Sequence, residues 1–114
     1  MRFDTLIRQA TVCTSTNQEV TDVGILDGKI AAIGDLFSGT AEKTIEARHL
    51  HLLPGGIDSQ VHFREPGLTH KEDIESGTRC AIHGGITSIL EMPNTNPNTT
   101  SAERLQEKLE IGAK

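Results

Sequence analysis

Between residues 54 and 97 the chain reads as a strand, a helix and a second strand, and both strands end in polar residues. Pro54-Gly55-Gly56 turns into a short run that carries Asp58, Gln60, His62, Arg64 and Glu65. Side chains alternate along a strand, so Asp58, Gln60, His62 and Arg64 share one face if the strand stays extended. Residues 71–83 have helical character, Gly84-Gly85 stops them, and Ile86 to Met92 is rich in β-formers before Pro93-Asn94-Thr95. A strand, helix and strand in this span form a βαβ unit, which predicts parallel strands. Ligands in such sheets lie outside the carboxyl ends of the strands. His62 with Arg64, and Asn94, occupy those two ends. The competing reading is an edge strand with one solvated face. Polar residues at two neighbouring strand ends favour a binding site.

Composition narrows the classes. A net charge of −5 and a pI near 5.4 argue against nucleic acid or an anionic membrane as partner. No apolar run reaches spanning length, and Met1-Arg2-Phe3-Asp4 opens no signal-peptide core. Cys13 and Cys80 form no CxxC pair, which fits reduced thiols in a cytoplasmic protein.

Upstream of the Pro54 turn the chain is β-prone. Residues 3–12 read as a strand of imperfect alternation, and Val20 to Leu26 as another. Asp27-Gly28 between apolar runs predicts a tight hairpin into Lys29–Ile33, because both turn positions need φ > 0. Residues 44–47 and 50–53 are candidate short strands. Residues 1–53 are therefore expected to be a small β unit made of hairpins. His49-Leu50-His51 has a metal-like spacing, but no nearby Cys joins it, and surface imidazoles are the expected reading. In the helix of residues 71–83, Ile74, Gly77, Thr78 and Ala81 form one narrow face, with Glu72 and Asp73 in the first turn and His83 near the last carbonyls. His70 lies in the preceding loop. Residues 100–114 read as a second helix, with a Thr100/Glu103 capping box and a Leu105/Leu109 pair.

These motifs resemble the cyclic amidohydrolases, and among them dihydroorotase. The resemblance rests on Pro54-Gly55-Gly56-Ile57-Asp58, Val61-His62-Phe63-Arg64-Glu65-Pro66-Gly67, Lys71-Glu72-Asp73, Ser76-Gly77, Gly84-Gly85-Ile86-Thr87 and Met92-Pro93-Asn94-Thr95. Allantoinases typically read Asn-Glu-Pro-Gly and Met-Pro-Leu at the corresponding places, so the arginine and the Asn-Thr pair here point to dihydroorotase. The resemblance implies an α/β chain: residues 1–53 as part of a β-sandwich domain, and residues 54–114 as the first βαβα portion of a (β/α)8 TIM-type barrel. Such a barrel needs about 250 residues. The chain is accordingly expected to be the N-terminal part of a longer protein and inactive alone.

The implied activity is the metal-dependent interconversion of dihydroorotate and N-carbamoyl-aspartate in pyrimidine biosynthesis, with one or two zinc ions. Arg64 and Asn94 match positions that hold the substrate carboxylate, and Arg suits a carboxylate by its bidentate fork. His62 matches a metal ligand on the first barrel strand. The other ligands and the general base are expected downstream, so no catalytic residue is assigned within these 114 residues. Position 60 departs from the pattern: Gln60 stands where the family has His, and an amide oxygen is a poorer zinc ligand than imidazole. A one-metal enzyme, a weak second metal site and loss of catalysis all stay open. The alternatives are a non-catalytic structural partner of aspartate transcarbamoylase, or another cyclic amidohydrolase such as an allantoinase or hydantoinase. A homo-oligomer is the default by resemblance.

Overall fold

The Asp27-Gly28 turn is the simplest place to see local sequence becoming structure. In the computed structural model, which describes residues 1–114, Asp27 and Gly28 have φ of 52° and 70°. That is the double positive-φ turn whose twist matches two antiparallel strands. It joins β2 (Gln18–Leu26) to β3 (Lys29–Gly34). β2 also pairs antiparallel with the long strand β1 (Arg2–Cys13). The expectation of hairpins throughout this unit is corrected beyond β3. β4 (Thr40–Glu46) and β5 (His51–Leu52) return to the other side of β1 and pair with it in parallel. The result is one five-stranded sheet in which β1 is central.

The imperfect alternation of residues 3–12 has a structural cause. One extra residue in β1 shifts the register to β2 between Ile7 and Ala10, and Gln9 has φ 54°. A bulge of this kind leaves a backbone group out of the ladder. Asp22 takes up that group: its carboxylate accepts from Gln9 N at 2.9 Å, Leu36 N at 3.3 Å and Arg8 Nη1 at 3.2 Å. Arg8 also donates to the carbonyls of Leu36, Phe37 and Gly39. Around this polar knot lie the buried Phe3, Leu6, Ala10, Val12, Val23 and Ala47. The Phe3 ring lies where any side chain at Gly24 would have to stand.

The chain divides into two units, Met1–Pro54 and Gly55–Lys114. The second holds β6 (Gly56–Val61), α1 (Ile74–His83), β7 (Ile86–Glu91) and α2 (Ala102–Gly112). β6 and β7 are parallel, as the βαβ reading requires. Four local expectations change. α1 begins at Ile74, because Asp73 is its N-cap: its side chain accepts from Ser76 N, and Ser76 Oγ accepts from Asp73 N. Glu72 and Asp73 therefore precede the helix, and Glu75 is the acid of its first turn. α2 is capped by Ser101, one residue later than Thr100. The last carbonyls of α1 receive Gly84 N and Gly85 N rather than His83, with Gly85 at φ 81°. No helix is long and apolar enough to cross a membrane.

Past the ends of β6 and β7 two loops grip each other. Met92 N donates to Val61 O at 2.8 Å, and Asn96 N to Pro66 O at 3.1 Å. Gly67 has φ 90°, and a β-carbon there would run into the carbonyl of Asn96. Phe63 is buried against Gly77, where a β-carbon would meet its ring at 2.6 Å. Glu65 accepts from Ile74 N at 2.9 Å, so the first loop also holds the start of α1. Thr95, itself buried, donates to Pro97 O at 2.9 Å and pairs with Thr99.

Three outcomes follow for the stability of the full-length protein. Asp22→Ala strands two amides and a guanidinium, and is expected to cost about 2–4 kcal/mol in urea denaturation. Gly67→Ala imposes left-handed backbone strain of about 1–3 kcal/mol and also pushes on Asn96, so its denaturation midpoint should fall. Asp73 is held below the usual carboxylate range by the Ser76 amide first and the Ser76 hydroxyl second. A depressed folded value stabilises the fold above the unfolded value, and this is lost as the pH falls through the folded value. Asp73→Asn should therefore show a smaller drop in melting temperature from neutral pH to about pH 3.

Candidate functional site

The shared face expected for Asp58, Gln60, His62 and Arg64 holds for the first three and not for Arg64. The ladder to β7 is irregular between Asp58 and Val61, and the strand ends at Val61. Asp58 bends back on its own chain to accept from Gln60 N at 2.9 Å. Asp58, Gln60 and His62 nevertheless line one hollow of 320 Å³ with Glu72 of the following loop, and Arg64 is not part of its wall. A larger groove of 830 Å³ runs along Leu90, Leu105 and Leu109 and holds none of the candidate residues.

His62 and Asn94 come together across the two loops. His62 Nδ1 and Asn94 Oδ1 are 2.9 Å apart. A carbonyl oxygen can only accept, so the imidazole donates Nδ1–H, and the neutral ring in this arrangement carries its lone pair on Nε2. The amide NH2 of Asn94 is left as a donor. Arg64 is half-buried and takes part in none of the chain's ion pairs. The nearby carboxylates of Glu65 and Asp58 accept from Ile74 N and Gln60 N instead. A guanidinium presents a planar fork of N–H donors that matches carbonyl or carboxylate oxygens.

The donor set fits a metal ion in part. His62 offers an oriented imidazole nitrogen, the ligand type and the hydrogen-bonded arrangement common at zinc sites. Gln60 offers only an amide. No group of three or more His, Cys, Asp or Glu side chains is placed to hold a metal ion. His49 and His51 are exposed in the first unit, and His70 is exposed in its loop. Cys13 and Cys80 are unpaired thiols. Sequence reasoning named Gly67 and Glu65 only as motif residues, gave no role to Asn96, and did not see the contacts the three make. Only the Pro66-Gly67 turn signal was visible for the first of these.

Known proteins match this arrangement. The family model described as "Amidohydrolase family" covers residues 51–113. An allantoinase of Rubrobacter xylanophilus is 47% identical over 108 residues, which is 94% of this chain and 24% of that protein. An allantoinase of Bacillus licheniformis is 44% identical over 117 residues, covering 98% of this chain and 25% of the relative. An allantoinase of Deinococcus radiodurans is 39% identical over 113 residues, with 98% and 25% covered. Among solved structures, the L-hydantoinase (dihydropyrimidinase) of Arthrobacter aurescens superposes with a TM-score of 0.84 at 33% identity, over 96% of this chain and 25% of that one. The chain spans about a quarter of the length of these relatives.

These matches correct the dihydroorotase reading, and pyrimidine biosynthesis with it: the relatives are allantoinases and a hydantoinase. The motifs that suggested dihydroorotase have another physical account. Pro66 and Gly67 hold the two loops together, Glu65 bonds the start of α1, Thr95 braces its own loop, and the oxygen of Asn94 meets His62. Such residues do not by themselves report an anionic substrate. With a family model over more than half of its residues and close relatives along nearly all of them, the chain belongs to the amidohydrolase family, among its cyclic amidohydrolases.

Proposed function

We propose that the chain is part of a metal-dependent cyclic amidohydrolase that opens a neutral ring ureide of the allantoin or hydantoin kind. The observation that carries this is the run of allantoinases 39–47% identical over at least 94% of the chain. In such a reaction water adds to a ring carbonyl, the adjacent C–N bond breaks, and a proton passes to the nitrogen. The product carries a new carboxylate and a ureido N–H.

The chain's own residues have roles suited to this chemistry. His62 would be one ligand of a zinc-type ion, with the remaining ligands in parts of the protein outside residues 1–114. When bound, that ion would supply Lewis acidity and a water of lowered pKa. Gln60 contributes at most a weak oxygen donor. Arg64 would hold the ring oxygen that becomes the product carboxylate, an acceptor that strengthens as the ring opens. The NH2 of Asn94 would add a neutral donor to the ring. On this reading β6, α1, β7 and α2 are the opening βαβα portion of the barrel. The exposed Ile57, Leu90, Leu105 and Leu109 support that, since an isolated unit gains nothing by leaving them in water.

The test is ring opening by the purified full-length protein, followed through the ureido product, with metal counted on the same sample. Turnover of allantoin or hydantoin that a chelator abolishes is expected. A folded, metal-loaded protein that opens neither ring rejects the proposal. Arg64→Ala should lower kcat/KM by about 10²-fold, or ~2.7 kcal/mol, with metal content unchanged. An unchanged kcat/KM would remove Arg64 from the binding site.

A further inference from the structure

The geometry points to Asn94 as a positioning residue for His62, rather than only a contact for the ligand. The inference deepens the proposed function and rests on it in one respect, the assignment of His62 as a metal ligand. Neutral imidazole divides its two nitrogens between donor and acceptor roles, and which is which is set by the partner of one of them. Here the partner of Nδ1 is the amide oxygen of Asn94, 2.9 Å away. That oxygen accepts the Nδ1–H and leaves Nε2 with the lone pair a cation needs.

The contact is built rather than incidental. Asn94 sits in the loop after β7, which is fixed on both sides. Met92 N bonds Val61 O just before it, and Asn96 N bonds Pro66 O just after it. Thr95 N and Thr99 N both donate to Pro93 O, and Thr95 is buried. His62 is flanked in turn by the buried Phe63, seated on Gly77. Both partners of the 2.9 Å contact are therefore held by backbone and packing, although their own side chains are exposed. The amide uses its two ends differently: the oxygen orients the imidazole, and the NH2 faces no such demand and stays available to the ligand.

The experiment uses the full-length protein and two variants, Asn94→Ala and Asn94→Asp. Asp keeps an oxygen acceptor for Nδ1–H and lacks the NH2. Two readouts are taken: the ¹⁵N shifts of the His62 ring in metal-free protein at a pH where imidazole is neutral, and zinc affinity by chelator competition. The wild type should carry its ring proton on Nδ1. Asn94→Ala should lose that preference and bind zinc about 10–100-fold more weakly, the usual effect of losing such a hydrogen-bond partner. Asn94→Asp should restore the tautomer and most of the affinity while KM for the ring substrate stays raised. Amide spectra check that each variant is folded. A wild-type ring protonated on Nε2 overturns the inference. So does an Asn94→Ala protein with unaltered tautomer and zinc affinity, even if ring opening is intact, in which case the proposed function stands alone. Conversely, an Asn94-dependent tautomer and zinc affinity in a protein that opens neither allantoin nor hydantoin upholds the inference and rejects that function.

Discussion

The close approach of Gly67 to the Asn96 carbonyl is the constraint on which the second unit depends. Two parallel strands bring their carboxyl ends side by side, but the loops that follow are not obliged to stay together. Here a left-handed backbone at Gly67, with no β-carbon, lets the first loop lie directly on the second, and Asn96 N closes the contact on Pro66 O. From that grip the rest follows in short steps. Phe63 is carried down onto Gly77, Glu65 reaches the first amide of α1, and His62 is left facing Asn94. The candidate site residues His62, Arg64 and Asn94 lie on loops, and the loops are joined by backbone bonds to one another.

The first unit solves a different problem by the same means. A single extra residue in β1 would leave an amide unpaired beside the core. Asp22 accepts it, and the same carboxylate gathers Arg8 and the Leu36 amide. Buried backbone polar groups rarely go unsatisfied, and a charged acceptor that meets three donors at once is an efficient way to satisfy them. The bulge is thus fastened to the segment that leads from β3 into β4, which returns along β1 in parallel.

Two motifs that resemble dihydroorotase are taken up largely by structural contacts in this chain. Arg64-Glu65-Pro66-Gly67 and Met92-Pro93-Asn94-Thr95 look like substrate-binding signatures. In the folded chain Glu65 accepts from the first amide of α1, Gly67 and the Pro66 carbonyl meet Asn96, and the oxygen of Asn94 meets His62. Of the eight, Arg64 takes part in no ion pair, and the NH2 of Asn94 is not the end that meets His62. A signature whose residues are largely structural can persist across enzymes that act on rings of different charge.

What the amino-acid sequence determined by itself was local or periodic. Asp27-Gly28 specified its hairpin, Gly84-Gly85 ended its helix, and the β–α–β spacing specified parallel strands, because each depends on backbone preferences over a few residues. Tertiary structure decided the rest. The parallel return of β4 and β5 to β1 is a pairing between distant segments, and no local preference encodes it. The contact between His62 and Asn94 joins residues 32 positions apart, and only the mutual grip of the two loops sets its direction. A hydrogen bond acts over about 3 Å, so a side chain's role is settled by what the fold brings within that reach.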